Sequence, residues 1–173
     1  MAEIVFICTG NICRSPMAEA ILKKKLVDLQ RPEIVVSSMG THGVDGMGAS
    51  SFAKKICEDE GFDLSNHSSR PLIPEELIKS KLILTMENVH NEYIYSFFPI
   101  VKDKTFLLGT WPELGNNRSN IKDPIGGAMN KYRKAFNEIK NHIDRIMPLL
   151  LTKYLNVNNE PTSLDQAPAA INT

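Results

Sequence analysis

The sequence predicts an α/β fold, in which a single domain is built on a four-stranded parallel sheet flanked by helices on both faces. Short apolar runs rich in β-branched residues alternate along the chain with segments whose apolar residues recur every three or four positions. This alternation is typical of a parallel sheet that is covered on both faces. The length of 173 residues is sufficient for one core of ordinary size.

The chain opens with a predicted strand, a tight loop and a helix. Residues 3–8 (EIVFIC) form an apolar run that stops at Gly10, which favours a buried strand over a helix. From Pro16, a residue that the first helical turn tolerates, apolar side chains recur at helical spacing as far as Leu29. Residues 33–38 (EIVVSS) indicate a second strand, which a glycine-rich loop follows.

The remainder of the chain continues the alternation. Prolines and glycines bound most of its elements, which are a helix at 49–60, a helical turn from Pro74, a strand at 81–86, a helix at 88–98 and a strand at 104–108. A long loop with two prolines and four glycines, residues 109–127, then leads to a helix. The apolar stripe of that last helix runs from Tyr132 to Leu150.

Composition excludes several classes of function. Twenty basic and twenty acidic side chains, with no long block of one sign, do not indicate a partner among nucleic acids or anionic membranes. No run approaches the roughly 18 apolar residues that span a bilayer. Three cysteines and an opening without signal-peptide features predict a reduced, cytoplasmic location. Residues 1–155 are predicted to form the domain, and residues 156–173, which lack periodicity, a disordered tail.

The first loop, residues 9–15, has the features of an anion site. It follows the carboxyl end of a strand and precedes a helix, which is where ligands bind in doubly wound sheets. Backbone N–H groups and the helix dipole attract an anion there. Arg14 adds a planar group that can hold two oxygens of a phosphate. The loop therefore predicts a site for a tetrahedral oxyanion such as phosphate or vanadate.

Cys8 is the predicted nucleophile of this site. A thiol at a helix N-terminus beside a cation is largely ionised at neutral pH, so Cys8 can attack a bound phosphoryl group. Arg14 and the loop amides would then hold the equatorial oxygens, and neither a metal nor another cofactor is required. A cysteine followed six residues later by an arginine is by itself weak evidence for a catalytic site, and buried structural cysteines are common. The role of nucleophile is favoured because a strand, a glycine, an arginine and the start of a helix occur together in this short segment.

Two other uses of such a loop are disfavoured. A nucleotide-binding phosphate loop ends in Gly-Lys-Ser/Thr, which is missing here. A thioredoxin-type pair has its cysteines three positions apart, whereas Cys8 and Cys13 are five apart.

Asp123, in the segment IKDPIGG, is the predicted general acid. The leaving group of a phosphoester needs a proton, which a carboxylic acid from another loop can supply. Asp-Pro is a common turn opening, but a connection as long as residues 109–127 is unusual in a compact domain unless it has a function.

The segment CTGNICRSPMAE, residues 8–19, with Asp123-Pro124 far downstream, resembles the low-molecular-weight protein-tyrosine phosphatase family. That family has a Cys-x5-Arg-Ser pattern near its N-terminus and a catalytic Asp-Pro near its C-terminus. The similarity continues through SSMGT, GFDLSNHSSRPL and LILTMENVH and covers about residues 3–150. The resemblance implies the low-molecular-weight phosphatase fold.

The resemblance also implies a role for each matching residue. Cys8 would be the nucleophile, Arg14 the phosphate clamp, and Asp123 the acid and then the base. Ser15 would stabilise the thiolate. The other members of the phosphate-binding loop would be Thr9, Gly10, Asn11, Ile12 and Cys13.

A supporting network and a redox role follow from the same resemblance. In the family, a polar network holds the residue equivalent to Asn11 in a strained geometry, and here that network would comprise Ser15, Ser38 and His67. His67 is therefore expected to be structural. Cys13 occupies the place from which some members form a reversible disulfide with the nucleophile, which protects it from over-oxidation. Simple packing is the alternative for Cys13, and both remain open.

The predicted substrate is phosphotyrosine in proteins or peptides. Ile12 offers only apolar contact, which suits an aromatic ring. Aromatic residues often follow Asp-Pro in the tyrosine phosphatases, but Ile125 and Gly126 follow it here. The protein-arginine phosphatases of the family have a similar Asp-Pro-Phe-Gly-Gly segment, yet threonine at the place of Ile12, so phosphoarginine is the alternative. The predicted rim of the cleft consists of His42, Val44, Trp111 and Ile125, and capping of the core is the alternative for Trp111.

Two further alternatives are weaker. Thioredoxin-coupled arsenate reductases of the family need two more cysteines on a mobile central segment, and only Cys57 is left here. A non-catalytic phosphoprotein-binding module would have lost its nucleophile or its acid, whereas Cys8 and Asp123 are both present.

Overall fold

The computed structural model describes residues 2–31, 33–113 and 119–155. In chain order its elements are β1 (Ala2–Cys8), α1 (Arg14–Asp28), β2 (Ile34–Gly40), α2 (Ser51–Asp59), α3 (Pro74–Lys79), β3 (Leu82–Thr85), α4 (Asn88–Phe97), a 3₁₀ helix (Pro99–Lys104), β4 (Thr105–Leu107) and α5 (Met129–Leu155). None of the helices in these ranges is long and apolar enough to cross a bilayer. The tail predicted to be disordered, residues 156–173, lies outside the described residues.

The four strands form one parallel sheet in the order β2-β1-β3-β4, which confirms the predicted fold class. β1 lies inside the sheet, and its last residue, Cys8, pairs with Gly40 at the end of β2. On the other side, Ile7 pairs with Thr85 at the end of β3. The carboxyl ends of three strands therefore meet at one edge of the sheet, beside Cys8.

Both faces of the sheet are buried, and successive side chains of β1 alternate between two cores, one on each face. Ile4 and Phe6 point into the larger core, which α1, α2 and α5 cover. Val5 and Ile7 point into a second core, formed with α3, α4 and the 3₁₀ helix. All four side chains are fully buried. Burial of one such side chain contributes about 1.5–3 kcal/mol, so the central strand is held firmly from both sides.

The 3₁₀ helix is the element that the sequence pattern did not predict. A helix was expected up to residue 98, but α4 ends at Phe97 and Pro99 begins a new helical turn. Proline cannot continue a helix, since it lacks an N–H group and its ring clashes with the preceding turn. Its fixed φ nevertheless suits the first position of the next helix.

Candidate active site

The loop between β1 and α1 lies at the carboxyl edge of the sheet and leads directly into a helix N-terminus. α1 begins at Arg14, and Cys13 precedes it as the N-cap residue without any side-chain hydrogen bond to the first turn. The first N–H groups of a helix have no partner within the helix. Because no capping side chain occupies them here, they are available to a ligand.

Neighbouring loops hold four carbonyl groups of this loop on its outer side. Thr41 N donates to the oxygen of Cys8 at 2.9 Å, and His42 N donates to the oxygen of Thr9 at 2.8 Å. His67 Nε2 donates to the oxygen of Asn11 at 2.7 Å, and Ser50 N donates to the oxygen of Ile12 at 2.8 Å. In a planar trans peptide the next N–H points opposite to the carbonyl. The N–H groups that follow these carbonyls are therefore turned toward the inside of the loop, where they form an anion-binding cradle.

Asn11 adopts a left-handed backbone conformation at the centre of the loop, with φ of 54°. Asparagine tolerates this region better than most residues. Its Nδ2 donates to Ser15 Oγ at 2.9 Å and to Ser38 Oγ at 2.8 Å, and its Oδ1 accepts from Arg70 N at 3.0 Å. The structure thus brings Asn11, Ser15 and Ser38 together. His67 binds the carbonyl oxygen of Asn11 rather than its side chain.

The sulfur of Cys8 is buried and lies 3.0 Å from Ser15 Oγ. Ser15 Oγ already accepts the hydrogen bond from Asn11 Nδ2. Its own hydrogen is left for the sulfur, since the other acceptor in reach, Met39 O, is farther away at 3.4 Å. Such a donor stabilises a thiolate more than a thiol.

Cys13 is also buried, but its sulfur contacts two hydroxyl groups that lie outside the loop. Its Sγ lies 3.3 Å from Ser50 Oγ and 3.9 Å from the hydroxyl of Tyr132. Burial raises the pKa of the Cys13 thiol, so Cys13 favours the protonated form. Cys8 and Cys13 are both free thiols in this structure. A disulfide between them stays a prediction, as does the packing role.

Arg14 is 1 % exposed and is held by groups from three parts of the chain. Nη1 donates to Glu87 Oε2 at 2.5 Å and to Ile121 O at 3.0 Å, while Nη2 is paired with the carboxylate of Asp123. Its Nε is buried and has no hydrogen-bond partner among the described residues. A buried guanidinium with an unused N–H is a donor that a bound oxyanion would satisfy.

Glu87 is the site residue that the sequence interpretation missed. It follows β3 by two residues and is the N-cap of α4, where its backbone N–H donates to His90 Nδ1 at 3.0 Å. Its carboxylate binds Nη1 of Arg14, whereas Asp123 binds Nη2. The available signal was its place after the third predicted strand, because the carboxyl ends of parallel strands share one edge.

Asp123 reaches the same arginine from the loop that precedes α5. Its Oδ1 accepts a hydrogen bond from Ile125 N at 3.1 Å, which fixes the turn after Asp-Pro. Its other oxygen meets Arg14. About a third of the Asp123 side chain, 33 %, is exposed, so the carboxylate lies at the mouth of the site rather than at its base.

These groups surround a cavity of about 170 Å³, which is lined by Cys8, Thr9, Gly10, Ile12, Cys13, Arg14, Asp123 and Ile125. Pockets that bury a drug-sized ligand measure roughly 300–1,000 Å³, so this cavity fits one small group. Its base is polar, whereas Ile12 and Ile125 are apolar walls. The structure thus gathers the predicted nucleophile, clamp and acid around one space.

The predicted rim is only partly found. Ile125 lines the cavity and is 54 % exposed. His42 and Val44 are exposed on the loop after β2 but do not line the cavity, and the ring of His42 lies edge-on to Tyr93. The prediction for Trp111 is wrong, because this side chain is fully buried in the larger core, beside Phe106.

Comparison with known proteins agrees with this geometry. A family model described as low molecular weight phosphotyrosine protein phosphatase matches residues 3–159. A protein-arginine-phosphatase of Geobacillus stearothermophilus is 37 % identical, over 87 % of this chain and 97 % of its own. The low molecular weight protein-tyrosine-phosphatase Etp of Escherichia coli K12 is 34 % identical, over 83 % of this chain and 88 % of its own.

Solved structures share the fold. The low molecular weight protein tyrosine phosphatase from T. tengcongensis superposes with a TM-score of 0.80 at 32 % identity, covering 87 % of this chain and 100 % of that one. Wzb of Vibrio vulnificus, solved in complex with benzylphosphonate, superposes with a TM-score of 0.77 at 29 % identity, covering 86 % of this chain and 99 % of that one.

Proposed function

The chain belongs to the low molecular weight phosphotyrosine protein phosphatase family, and on that premise we propose that it is a metal-independent protein-tyrosine phosphatase whose nucleophile is Cys8. The observation that carries the proposal is the small cavity in which the Cys8 sulfur, the inward N–H groups of the loop and the buried Arg14 converge beneath Asp123. Each of these groups has a task in the transfer of a phosphoryl group.

Binding would place the phosphoryl group in the cradle of the loop. Its oxygens would accept hydrogen bonds from the inward N–H groups and from Nε of Arg14, which has no other partner in the described part of the chain. Nη2 of Arg14 would release Asp123 and bind the phosphate, while Glu87 keeps the guanidinium in place through Nη1. Donors that are already arranged for the charge of the transition state need no reorganisation.

In the first step the Cys8 thiolate attacks phosphorus on the side opposite to the leaving oxygen. The S–P bond forms as the bond from phosphorus to the tyrosine oxygen breaks, and protonated Asp123 donates its hydrogen to that oxygen. In the second step Asp123 removes a proton from water, which attacks phosphorus, and the S–P bond breaks. Inorganic phosphate leaves, and Ser15 stabilises the returning thiolate.

Phosphotyrosine is the substrate that the walls of the cavity support. Ile12 and Ile125 both line it, and neither can donate or accept a hydrogen bond with its side chain. Apolar walls above a polar base suit an aromatic ring that carries a phosphate. The free thiols of Cys8, Cys13 and Cys57 fit a reducing compartment, so we propose that the substrates are cytoplasmic proteins.

Phosphoarginine is the second candidate, because two observations favour it. The G. stearothermophilus relative bears the name protein-arginine-phosphatase. In addition, Asp123 already binds a guanidinium, that of Arg14, and could bind that of a phosphoarginine in the same way.

Turnover of two peptides that differ only in the phosphorylated residue, phosphotyrosine or phosphoarginine, separates the candidates. We expect the wild-type protein to prefer phosphotyrosine without added metal, and Ile12→Thr to shift the preference toward phosphoarginine, because threonine replaces an apolar wall by a polar one. Cys8→Ser is the control and should be inactive on both peptides. Full activity of Cys8→Ser would refute the cysteine mechanism, whereas a wild-type preference for phosphoarginine would refute only the substrate.

The role of Asp123 is tested by the leaving group. Asp123→Asn keeps the oxygen that accepts from Ile125 N but cannot supply a proton. We expect it to slow phenyl phosphate far more than p-nitrophenyl phosphate, since p-nitrophenolate leaves readily without protonation. The ratio of the two kcat/KM values measures this difference, because kcat/KM reports formation of the phosphocysteine and excludes its hydrolysis, which is the same step for both substrates. An equal loss on both substrates contradicts the assignment of Asp123 as the acid.

A further inference from the structure

The scheme above uses only the backbone of Thr9, but its side chain lies in an ordered polar cluster. Thr9 lines the cavity, and its hydroxyl oxygen is 2.9 Å from Nε2 of His90 and 3.4 Å from Nη2 of Arg14. His90 is 2 % exposed and belongs to α4, the helix that follows β3 in the chain. The directions of these hydrogen bonds decide what the hydroxyl can do.

The contacts of His90 fix the position of its ring hydrogen. Nδ1 accepts a hydrogen bond from the backbone N–H of Glu87 at 3.0 Å, so Nδ1 carries no hydrogen. Burial, helped by the nearby charges of Arg14 and His42, lowers the pKa of His90 to about 3, so the ring is neutral at physiological pH. A neutral imidazole has one N–H, which must then be on Nε2. His90 therefore donates to Thr9.

The hydroxyl of Thr9 is left with a hydrogen to donate. A hydroxyl oxygen has two acceptor positions and one hydrogen. Nε2 of His90 takes one acceptor position, and Nη2 of Arg14 approaches the other. The described residues offer this hydroxyl no further side-chain partner, and the residue lines the cavity between the nucleophile and the clamp.

We propose that the Thr9 hydroxyl donates a hydrogen bond to the phosphoryl group of the substrate and that His90 is the positioning residue that directs it there. The proposal rests on the phosphatase function and adds a side-chain donor to the backbone donors of the loop. It also gives α4 a part in the site, because Glu87 and His90 lie at its N-terminus and hold Arg14 and Thr9, respectively.

The test combines two substitutions that break the same hydrogen-bond chain. Thr9→Val keeps the shape of the side chain without its hydroxyl. His90→Asn retains an acceptor for Glu87 N but is too short to reach Thr9. Calorimetric titration with vanadate measures oxyanion binding, and p-nitrophenyl phosphate gives kcat and KM.

We expect each variant to weaken vanadate binding and kcat/KM by about 10- to 100-fold, the range expected when a hydrogen bond to a charged group is lost. The double variant should be no worse than Thr9→Val alone, since His90 acts through Thr9. His90→Gln, whose amide nitrogen extends toward the place of Nε2, should recover part of the loss. Thr152→Val, on the exposed side of α5, is the matched control and should bind vanadate as the wild type does.

Unchanged vanadate binding and turnover in Thr9→Val would overturn the proposal while leaving the phosphatase function intact. Losses that multiply in the double variant would also overturn it, because His90 would then act independently of Thr9. If His90→Asn fails to fold, Thr9→Val against Thr9→Ser decides the donor role, since serine keeps the hydroxyl and should lose less. Failure of the wild-type protein to bind vanadate and to hydrolyse any phosphoester would refute the proposed function itself.

Discussion

Replacing Asn11 by glycine should lower the free energy of unfolding by about 3 kcal/mol, and replacing it by alanine by about 4 kcal/mol. Both substitutions remove three side-chain hydrogen bonds, to Ser15, Ser38 and the backbone of Arg70, each of which contributes about 1 kcal/mol net. Alanine also has to adopt the positive φ of 54°. That conformation costs an L-residue about 1–2 kcal/mol, partly offset by the lower entropy of the unfolded alanine chain.

The assay is urea unfolding followed by tryptophan fluorescence. The chain has one tryptophan, Trp111, which is fully buried and becomes exposed on unfolding. Asn66 provides the matched control, because it is exposed and is not among the positive-φ residues. At Asn66 the order should reverse, with glycine no more stable than alanine. At Asn11 we also expect kcat to fall further in the alanine variant than in the glycine variant.

A result in which Asn11→Ala is as stable as Asn11→Gly would refute the reasoning. It would mean that the loop does not depend on the left-handed conformation at this position. A loss well below 1 kcal/mol in both variants would mean instead that the polar network does not contribute to stability.

Two more predictions concern the packing and the titration of groups around the loop. Gly40→Ala should lower kcat at least tenfold while the protein stays folded, because an added Cβ would lie 2.5 Å from Thr9 O and 2.9 Å from Asn11 N and would displace the loop. Gly48→Ala is the control, since its Cβ would meet only the flexible end of the Lys54 side chain. Equal activity of the two variants would contradict this reasoning. Stability should fall as the pH is lowered from roughly 6 to 4, by about 1.4 kcal/mol per pH unit from His90 alone, because the unfolded chain binds a proton near pH 6.5 and the folded chain only near pH 3. His90→Gln should flatten this slope in urea titrations, and an unchanged slope would show that His90 is not held neutral.

Local patterns in the sequence were sufficient for the parts of the site that lie within one loop. Cys8 and Arg14 follow an apolar run and a glycine and precede a helical pattern, so their place at the carboxyl edge of a sheet could be predicted. Asp123 could be found because Asp-Pro occurs in a long connection near the last helix. Each of these predictions depends on residues a few positions apart, where chain geometry fixes the neighbours.

The structure had to supply the contacts that join distant segments. Glu87 and His90 lie more than seventy positions after Arg14 and Thr9. The carboxylate of Glu87 nevertheless binds Arg14, and Nε2 of His90 lies within hydrogen-bond distance of the Thr9 hydroxyl. This follows from the strand order, in which β3 lies beside β1. No pattern within a single segment reveals that order, since a crossover can place a strand on either side of the first one.

The sequence by itself determined the succession of strands and helices and the place of the loop that joins β1 to α1, because apolar periodicity, glycine and proline act over a few residues. Only the tertiary structure decided which side chains surround that loop. Trp111 shows the difference: a large aromatic residue in a loop near the site could equally have formed a wall of the cleft or filled the core. It is buried in the larger core, where its ring lies beside Phe106 of β4 and its carbonyl oxygen accepts a hydrogen bond from Arg145 of α5, and such packing depends on the whole fold.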